Sequence, residues 1–154
     1  ITLEGATGWL VRESVGLTRL RQRTDSAGPG GMAPLPVDVP GAIVRVVADT
    51  LSPLMAGIRD TEFPVMVNGP FALNVPRNIR PGEVVARYAP AGRLRVAGYL
   101  WPEAPGRLAE TPYLWTENVG AGRIIAFAGD PNFRDLWRGL LPLFGNAVLL
   151  GGSF

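Results

Sequence analysis

The stretch Gly122-Arg123-Ile124-Ile125-Ala126-Phe127-Ala128-Gly129-Asp130-Pro131-Asn132 decides how this chain is read. Residues 124–128 form an unbroken apolar run, which predicts a strand covered on both faces, and such strands are typical of parallel sheets sandwiched between helices. The next four residues read as a turn into a helix, with Asp130 as N-cap carboxylate and Pro131 supplying the preset φ of a first helical turn. Further on, Trp137, Leu140, Leu141, Phe144, Ala147 and Val148 fall on one broad face of that helix, while Arg138, Pro142 and Asn146 fall on the other. Pro142 removes a backbone hydrogen bond, so the helix is expected to kink or restart there.

Working back from this segment, residues 1–4 read as another strand, followed by the small-residue turn Gly5-Ala6-Thr7-Gly8 and a short helix over 9–15 stopped by Gly16. Residues 24–41, rich in glycine and proline, are expected to be an irregular connection. Strands are predicted at 43–48, 65–67, 71–75, 83–88, 96–101, 113–119 and 123–128, with a single helical turn at 53–57. The expectation is a single α/β domain with a mostly parallel sheet and flanking helices, extended by a strand-rich insertion around residues 64–118. A chain of 154 residues buries roughly 68–70% of its unfolded surface, enough for a core without disulfides.

Composition excludes more than it assigns. The chain has no histidine and no cysteine, so a Ser–His or Cys–His nucleophile, a His or Cys metal site and a redox cysteine pair cannot be completed within it. Carboxylate, hydroxyl and arginine chemistry remains. All fifteen basic residues are arginine, a pattern of GC-rich codon usage rather than of a phosphate-binding face. Net charge is only +2, and the pI near 9.7 reflects the lack of groups titrating between carboxylates and tyrosine. Nucleic-acid binding is not indicated. Arg19, Arg21 and Arg23 alternate with Thr18, Leu20 and Gln22, as on a strand edge whose charges block edge-to-edge pairing. No apolar run is long enough to span a bilayer, and no signal peptide is evident. Opening on Ile1-Thr2-Leu3-Glu4 rather than on methionine, the chain reads as the C-terminal part of something larger.

Three local features are candidate sites. The first is the turn bearing Asp130, Asn132 and Arg134, at the carboxyl end of a buried strand, where α/β sheets place ligands and backbone amides hold anions. The same residues are what a helix start requires, and Arg134 is expected to pair with a nearby carboxylate or carbonyl. The second is Glu4 with Thr7, a prospective general base beside a hydroxyl donor, expected to lie close to the first; turn chemistry explains it equally. A carboxylate-based hydrolase of the glycosidase type would need Glu4 and Asp130 in one cleft, about 5–9 Å apart. The third is the aromatic set Tyr99, Trp101, Tyr113 and Trp115, which reads either as a stacking platform for glycan or peptide or as cross-strand core pairing. No catalytic residue and no metal ligand is assigned.

Several segments resemble a known family. Asp49-Thr50-Leu51-Ser52-Pro53-Leu54-Met55-Ala56-Gly57, then Gly122-Arg123-Ile124-Ile125-Ala126-Phe127, then Pro131-Asn132-Phe133-Arg134 with Gly139, Leu143, Asn146 and Ala147, look like the C-terminal region of bacterial zinc carboxypeptidase-family proteins. There, a carboxypeptidase A-like metallopeptidase domain is followed by a domain similar to class I glutamine amidotransferases. The resemblance spans most of residues 42–150 and implies a flavodoxin-like fold and a non-catalytic accessory role in stability or interaction. Ser52 stands where the family pattern has histidine, and no residue matches an amidotransferase nucleophile. On this resemblance the partner is an upstream peptidase domain of the same polypeptide, zinc belongs to that domain, and the setting is secreted or periplasmic. No cofactor is expected in this chain, and the reading admits a homo-oligomer.

Overall fold

The computed structural model describes residues 1–23, 39–69 and 71–154. In chain order the strands are Thr2–Leu3 (β1), Arg21–Gln22 (β2), Val39–Ala48 (β3), Glu62–Gly69 (β4), Leu73–Asn74 (β5), Val84–Tyr88 (β6), Arg95–Gly98 (β7), Pro112–Val119 (β8) and Gly122–Phe127 (β9). The α-helices are Glu4–Leu10 (α1), Ala91–Leu94 (α2), Ala104–Leu108 (α3) and Leu141–Leu150 (α4), and 3-10 turns form at Pro53–Met55, Phe133–Asp135 and Arg138–Leu140.

Seven strands make one sheet in the order β1-β9-β8-β6-β3-β4, with β7 also on β3, and β2 pairs with β5 in a separate ribbon. β3 is long enough to serve several partners. Its residues Ala42 to Val47 face β4, Val46 to Ala48 also face β6, and Ala42 to Val44 also face β7. β4 is an outer strand and carries Pro64 opposite Arg45, a residue that sheets tolerate at an edge because it has no N–H to donate.

The expected mostly parallel, flavodoxin-like sheet is not what forms. Only β1 with β9 is parallel; the other described pairings are antiparallel. The run Ile124 to Ala128 is indeed largely buried, but continuous burial reports two covered faces, not strand direction. Direction is set by the connection. β8 reaches β9 across Gly120 and Ala121 alone, with Gly120 at φ +58°, and a link that short makes only an antiparallel pair, since a parallel one needs a crossover of about a dozen residues or more. Nor is 64–118 an insertion: β6 and β8 lie at the middle of the sheet.

Local boundaries differ in instructive ways. Gly5 to Gly8, expected as a turn, are helical, because Glu4 at φ +40° makes the corner from β1 into α1 without a loop. Of the predicted irregular connection, residues 24–38 lie outside the described residues, and Val39, Pro40 and Gly41 belong to β3, where the register shifts between Val39 and Ala42. The helix expected directly after Pro131 begins only at Leu141, beyond two 3-10 turns. Pro142 therefore sits in the first turn, where its missing N–H costs nothing. The buried side chains are Leu140, Leu143 and Ala147, so Leu141 and Val148, assigned to the inner face, point outward.

The core centres on Tyr113, whose ring meets Phe63, Tyr88 and Phe127 edge to face at centroid distances of 6.4, 5.8 and 6.3 Å. α4 reaches the sheet through Phe144, 6.5 Å from Phe127. Elsewhere, the buried Glu117 carboxylate on β8 accepts from the Thr18 hydroxyl (2.6 Å), the Arg19 backbone N–H, Arg19 Nε (2.9 Å) and Trp115 Nε1 (3.2 Å). Burial acts to raise the Glu117 pKa, but the bonds from Thr18, Arg19 and Trp115 outweigh it and hold the carboxyl below its ordinary value. Arg19 also pairs with Glu83 and donates to Asn78 O. Its guanidinium is held above its ordinary pKa chiefly by the Glu117 hydrogen bond. The predicted charged edge at 19–23 is thus corrected: Arg19 is spent on two carboxylates, Arg21 on the Thr18 and Leu20 carbonyls, and Arg23 on the Arg107 carbonyl. Among the described residues no helix is long and apolar enough to cross a membrane.

Two stability predictions follow from this packing. Glu117→Gln should cost about 3 kcal/mol at neutral pH, as breaking a buried charged pair does, measured by urea unfolding. Because the folded carboxyl titrates below its unfolded value of about 4.3, the stabilisation is complete above that pH and is lost as pH falls through the folded pKa. The gap between wild type and Glu117→Gln should therefore narrow towards pH 3; a gap of constant size would contradict the charge assignment. Gly98 has φ +80°, and a Cβ there would lie 2.9 Å from Ala42 Cα and 3.0 Å from Gly41 O. Gly98→Ala should lower stability by about 1–3 kcal/mol through backbone strain, with loss of β7–β3 amide protection in hydrogen exchange.

Candidate functional site

The one parallel pair positions the candidate site. Because β1 and β9 run together, with Leu3 opposite Phe127, their carboxyl ends finish side by side, and the start of α1 comes beside the segment that follows β9. Between them lies a cavity of about 140 Å³ lined by both Glu4 and Asp130. Its remaining walls include Asn68, Phe71, Tyr88 and Phe133.

Each predicted site residue has a definite place. Glu4 borders the cavity in left-handed backbone geometry (φ +40°), and among the described residues its carboxylate has no hydrogen-bond or ion-pair partner. Asp130 shares the cavity, with one oxygen committed: Oδ1 accepts from the Asn132 N–H at 2.8 Å. That is an Asx turn leading into the 3-10 turn Phe133–Asp135, not the N-cap of a long helix. Asn132 contributes this amide, while its side-chain Oδ1 is buried without a partner among the described residues. Thr7 is buried and its hydroxyl is used structurally, donating to Phe127 O at 2.6 Å and sharing a 2.9 Å bond with Thr2 Oγ1. It therefore ties α1 to the end of β9. Arg134, at φ +50°, is exposed and lies over the Phe133 ring at 5.1 Å, rather than pairing with a carboxylate or carbonyl as expected.

The aromatic platform divides in two. Tyr113 and Trp115 are core residues of β8, whereas Tyr99 and Trp101 are exposed and meet edge to face at 5.0 Å. β7 pairs with β3, not with β8, so no surface unites the four rings.

Sequence reasoning missed Tyr88. It is 1% exposed, lines the cavity, and has no hydrogen-bond partner for its hydroxyl among the described residues. Burial pushes its phenol well above the ordinary tyrosine value, and burial does the same for Tyr113, with Tyr88 and Asp130 adding to the effect. Both phenols are therefore neutral at physiological pH. Tyr88 ends an ordinary apolar strand, and no local pattern marks it as a cavity residue. Among the described residues no cluster of acidic side chains is arranged to hold a metal ion.

The segments that carried the family resemblance have structural roles here. Asn146 Nδ2 donates to Leu54 O at 2.9 Å and Ala56 O at 2.8 Å, and Ser52 Oγ accepts from Leu54 N at 3.4 Å. Asn146 thereby clamps α4 to the turn Pro53–Met55, two segments far apart in sequence. Comparison with protein-family models, with curated proteins and with solved structures finds no match to this chain.

Asp130→Ala should cost about 1 kcal/mol through loss of the Asx bond, and Asp130→Asn, which keeps an acceptor, should cost less. Thr7→Val, similar in shape, should destabilise by about 1–3 kcal/mol because Phe127 O loses its buried donor. Thermal unfolding with calorimetry checks all three.

Proposed function

We propose that this chain is a non-catalytic accessory domain that packs against a larger body through the outward face of α4. The observation that carries the reading is α4 itself: Leu-Pro-Leu-Phe-Gly-Asn-Ala-Val-Leu-Leu has no charged residue, and Leu141, Val148 and Leu149 are exposed, the last at 79%. A helix without a charged residue and with leucine and valine on its outward side suits a position against a larger body, since a solvent-facing surface helix normally carries a polar stripe. The resemblance of the Asp49, Gly122 and Pro131 segments to the region following carboxypeptidase A-like peptidase domains supports such a domain as the body, joined in the same polypeptide. Zinc and the hydrolytic step then belong to that domain. The composition supports the non-catalytic part: with neither histidine nor cysteine, the Glu4–Asp130 cavity has no nucleophile and base of the usual acyl-transfer kind.

Hydrogen exchange tests the docking. Amides of Leu143 to Leu150 should be protected more strongly in the full-length polypeptide than in the isolated chain, and Val148→Glu with Leu149→Glu should abolish the difference without unfolding the domain. Equal exchange in both contexts would overturn the proposal. The catalytic side has its own measurement: Glu4→Gln in the full-length protein should leave peptidase kcat within a few-fold, whereas loss of a true general base typically costs roughly 10²–10⁴-fold.

A further inference from the structure

We infer that the cavity between the ends of β1 and β9 is a binding site for a primary ammonium, presented as the lysine side chain of a peptide segment outside residues 1–154. This goes beyond the accessory-domain reading and does not rest on it.

Charge is the first argument. Among the described residues, Glu4 and Asp130 are the ionisable carboxylates on the cavity wall, and no arginine lines it. Arg134, the nearest basic residue in sequence, lies over Phe133 instead. Two anionic groups on the wall of one cavity favour a cation there. The second, independent argument is Tyr88. The residue is 1% exposed, yet its hydroxyl has no hydrogen-bond partner among the described residues and stays open to a group that enters the cavity it lines.

Size and geometry select the cation. At about 140 Å³ the space is well below the roughly 300–1,000 Å³ of sites for drug-sized ligands, and it suits a group the size of one side chain. Acceptors come from three separate elements: Glu4 at the start of α1, Asp130 after β9 and Tyr88 at the end of β6. An ammonium carries three rotatable donors on a compact charge and matches acceptors arranged this way, whereas a planar guanidinium prefers a bidentate fork. Phe71 and Phe133 supply aromatic wall against which an alkyl stem and its charge are both stabilised. Residues 1–154 contain no lysine, so the side chain comes from outside them.

One observation favours a peptide over a free amine: Met66 and Phe133 also wall a neighbouring apolar groove with Leu136 and Trp137, which offers space for a residue flanking the lysine.

The test is an amide-shift NMR titration of the intact chain with n-butylammonium chloride, with N-acetyl-lysine methylamide, and with n-butanol as a neutral match. Saturable shifts at Gly5, Gly8 and Gly129 are expected with both amines, and none with butanol. Tighter binding of the lysine derivative, accompanied by a shift of the Trp137 indole signal, supports the peptide source; tighter binding of butylammonium assigns the site to a free amine and overturns that part. Glu4→Gln and Asp130→Asn, both conservative for folding, should each weaken binding about fivefold, and Tyr88→Phe should weaken it while leaving the spectrum otherwise native. Butanol acting like the amines, or the Glu4→Gln/Asp130→Asn double variant binding as well as wild type, would overturn the ammonium site. Neither result bears on the docking of α4.

Discussion

The carboxylate of Glu117 is the point on which much of this structure depends. It is buried in the middle of the sheet, where an unpaired charge would cost several kcal/mol, and it is tolerated because donors converge on it from Thr18, Arg19 and Trp115. Each donor has a structural result. Thr18 and Arg19 draw the segment after α1 across the sheet and place Leu20 in the core, while Trp115 Nε1 is satisfied without water. Arg19 carries the effect further, to Glu83 and the Asn78 carbonyl, and Glu83 in turn accepts from Arg80 N. The turn preceding β6, the centre of β8 and the chain leaving α1 are thus fastened by one charged network, although they are distant in sequence.

Strands were legible in the sequence where burial alternates or runs on, as in 43–48, 83–88 and 113–119, because that periodicity is a local property of the backbone. What the strands do with one another was not. The apolar run at Ile124 reported covered faces truthfully, but direction lay in Gly120-Ala121, a pair whose significance appears only when the lengths of both flanking strands are known. The C-terminal helix shows a similar limit. Six apolar residues fitted one helical face when the helix was started at Asn132, yet Arg134 and Asp135 adopt positive φ and the register begins again at Leu141. Arg19 and Arg23 looked like repelling edge charges because their acceptors, Glu83, Glu117 and the Arg107 carbonyl, lie from about sixty to a hundred positions away.

The candidate site was legible in part for a physical reason. Glu4 and Asp130 each follow a strand, and their juxtaposition needs only that the two strands be parallel neighbours, which β1 and β9 are. Thr7, expected beside Glu4 as a hydroxyl donor, donates to the Phe127 carbonyl, and sequence does not reveal that a hydroxyl is already occupied by a carbonyl. Tyr88, Asn68 and Phe71 reach the cavity through sheet pairing and chain return, and carry no local signature. The motif residues behave likewise: Asn146 earns its position by holding two carbonyls of a remote turn.

Pro64 on the outer strand β4 has a wider consequence. An exposed strand is a template on which another copy can add by backbone pairing, and such growth needs an uninterrupted row of donors and acceptors. Proline breaks that row, and Glu62, held below its ordinary pKa first by its bond to Arg45 and then by Arg93, keeps a solvated charge near the same margin. Sheet extension past β4 into fibrils is thereby discouraged. The apolar flank of α4 stands apart from this, because side chains rather than backbone are on offer there.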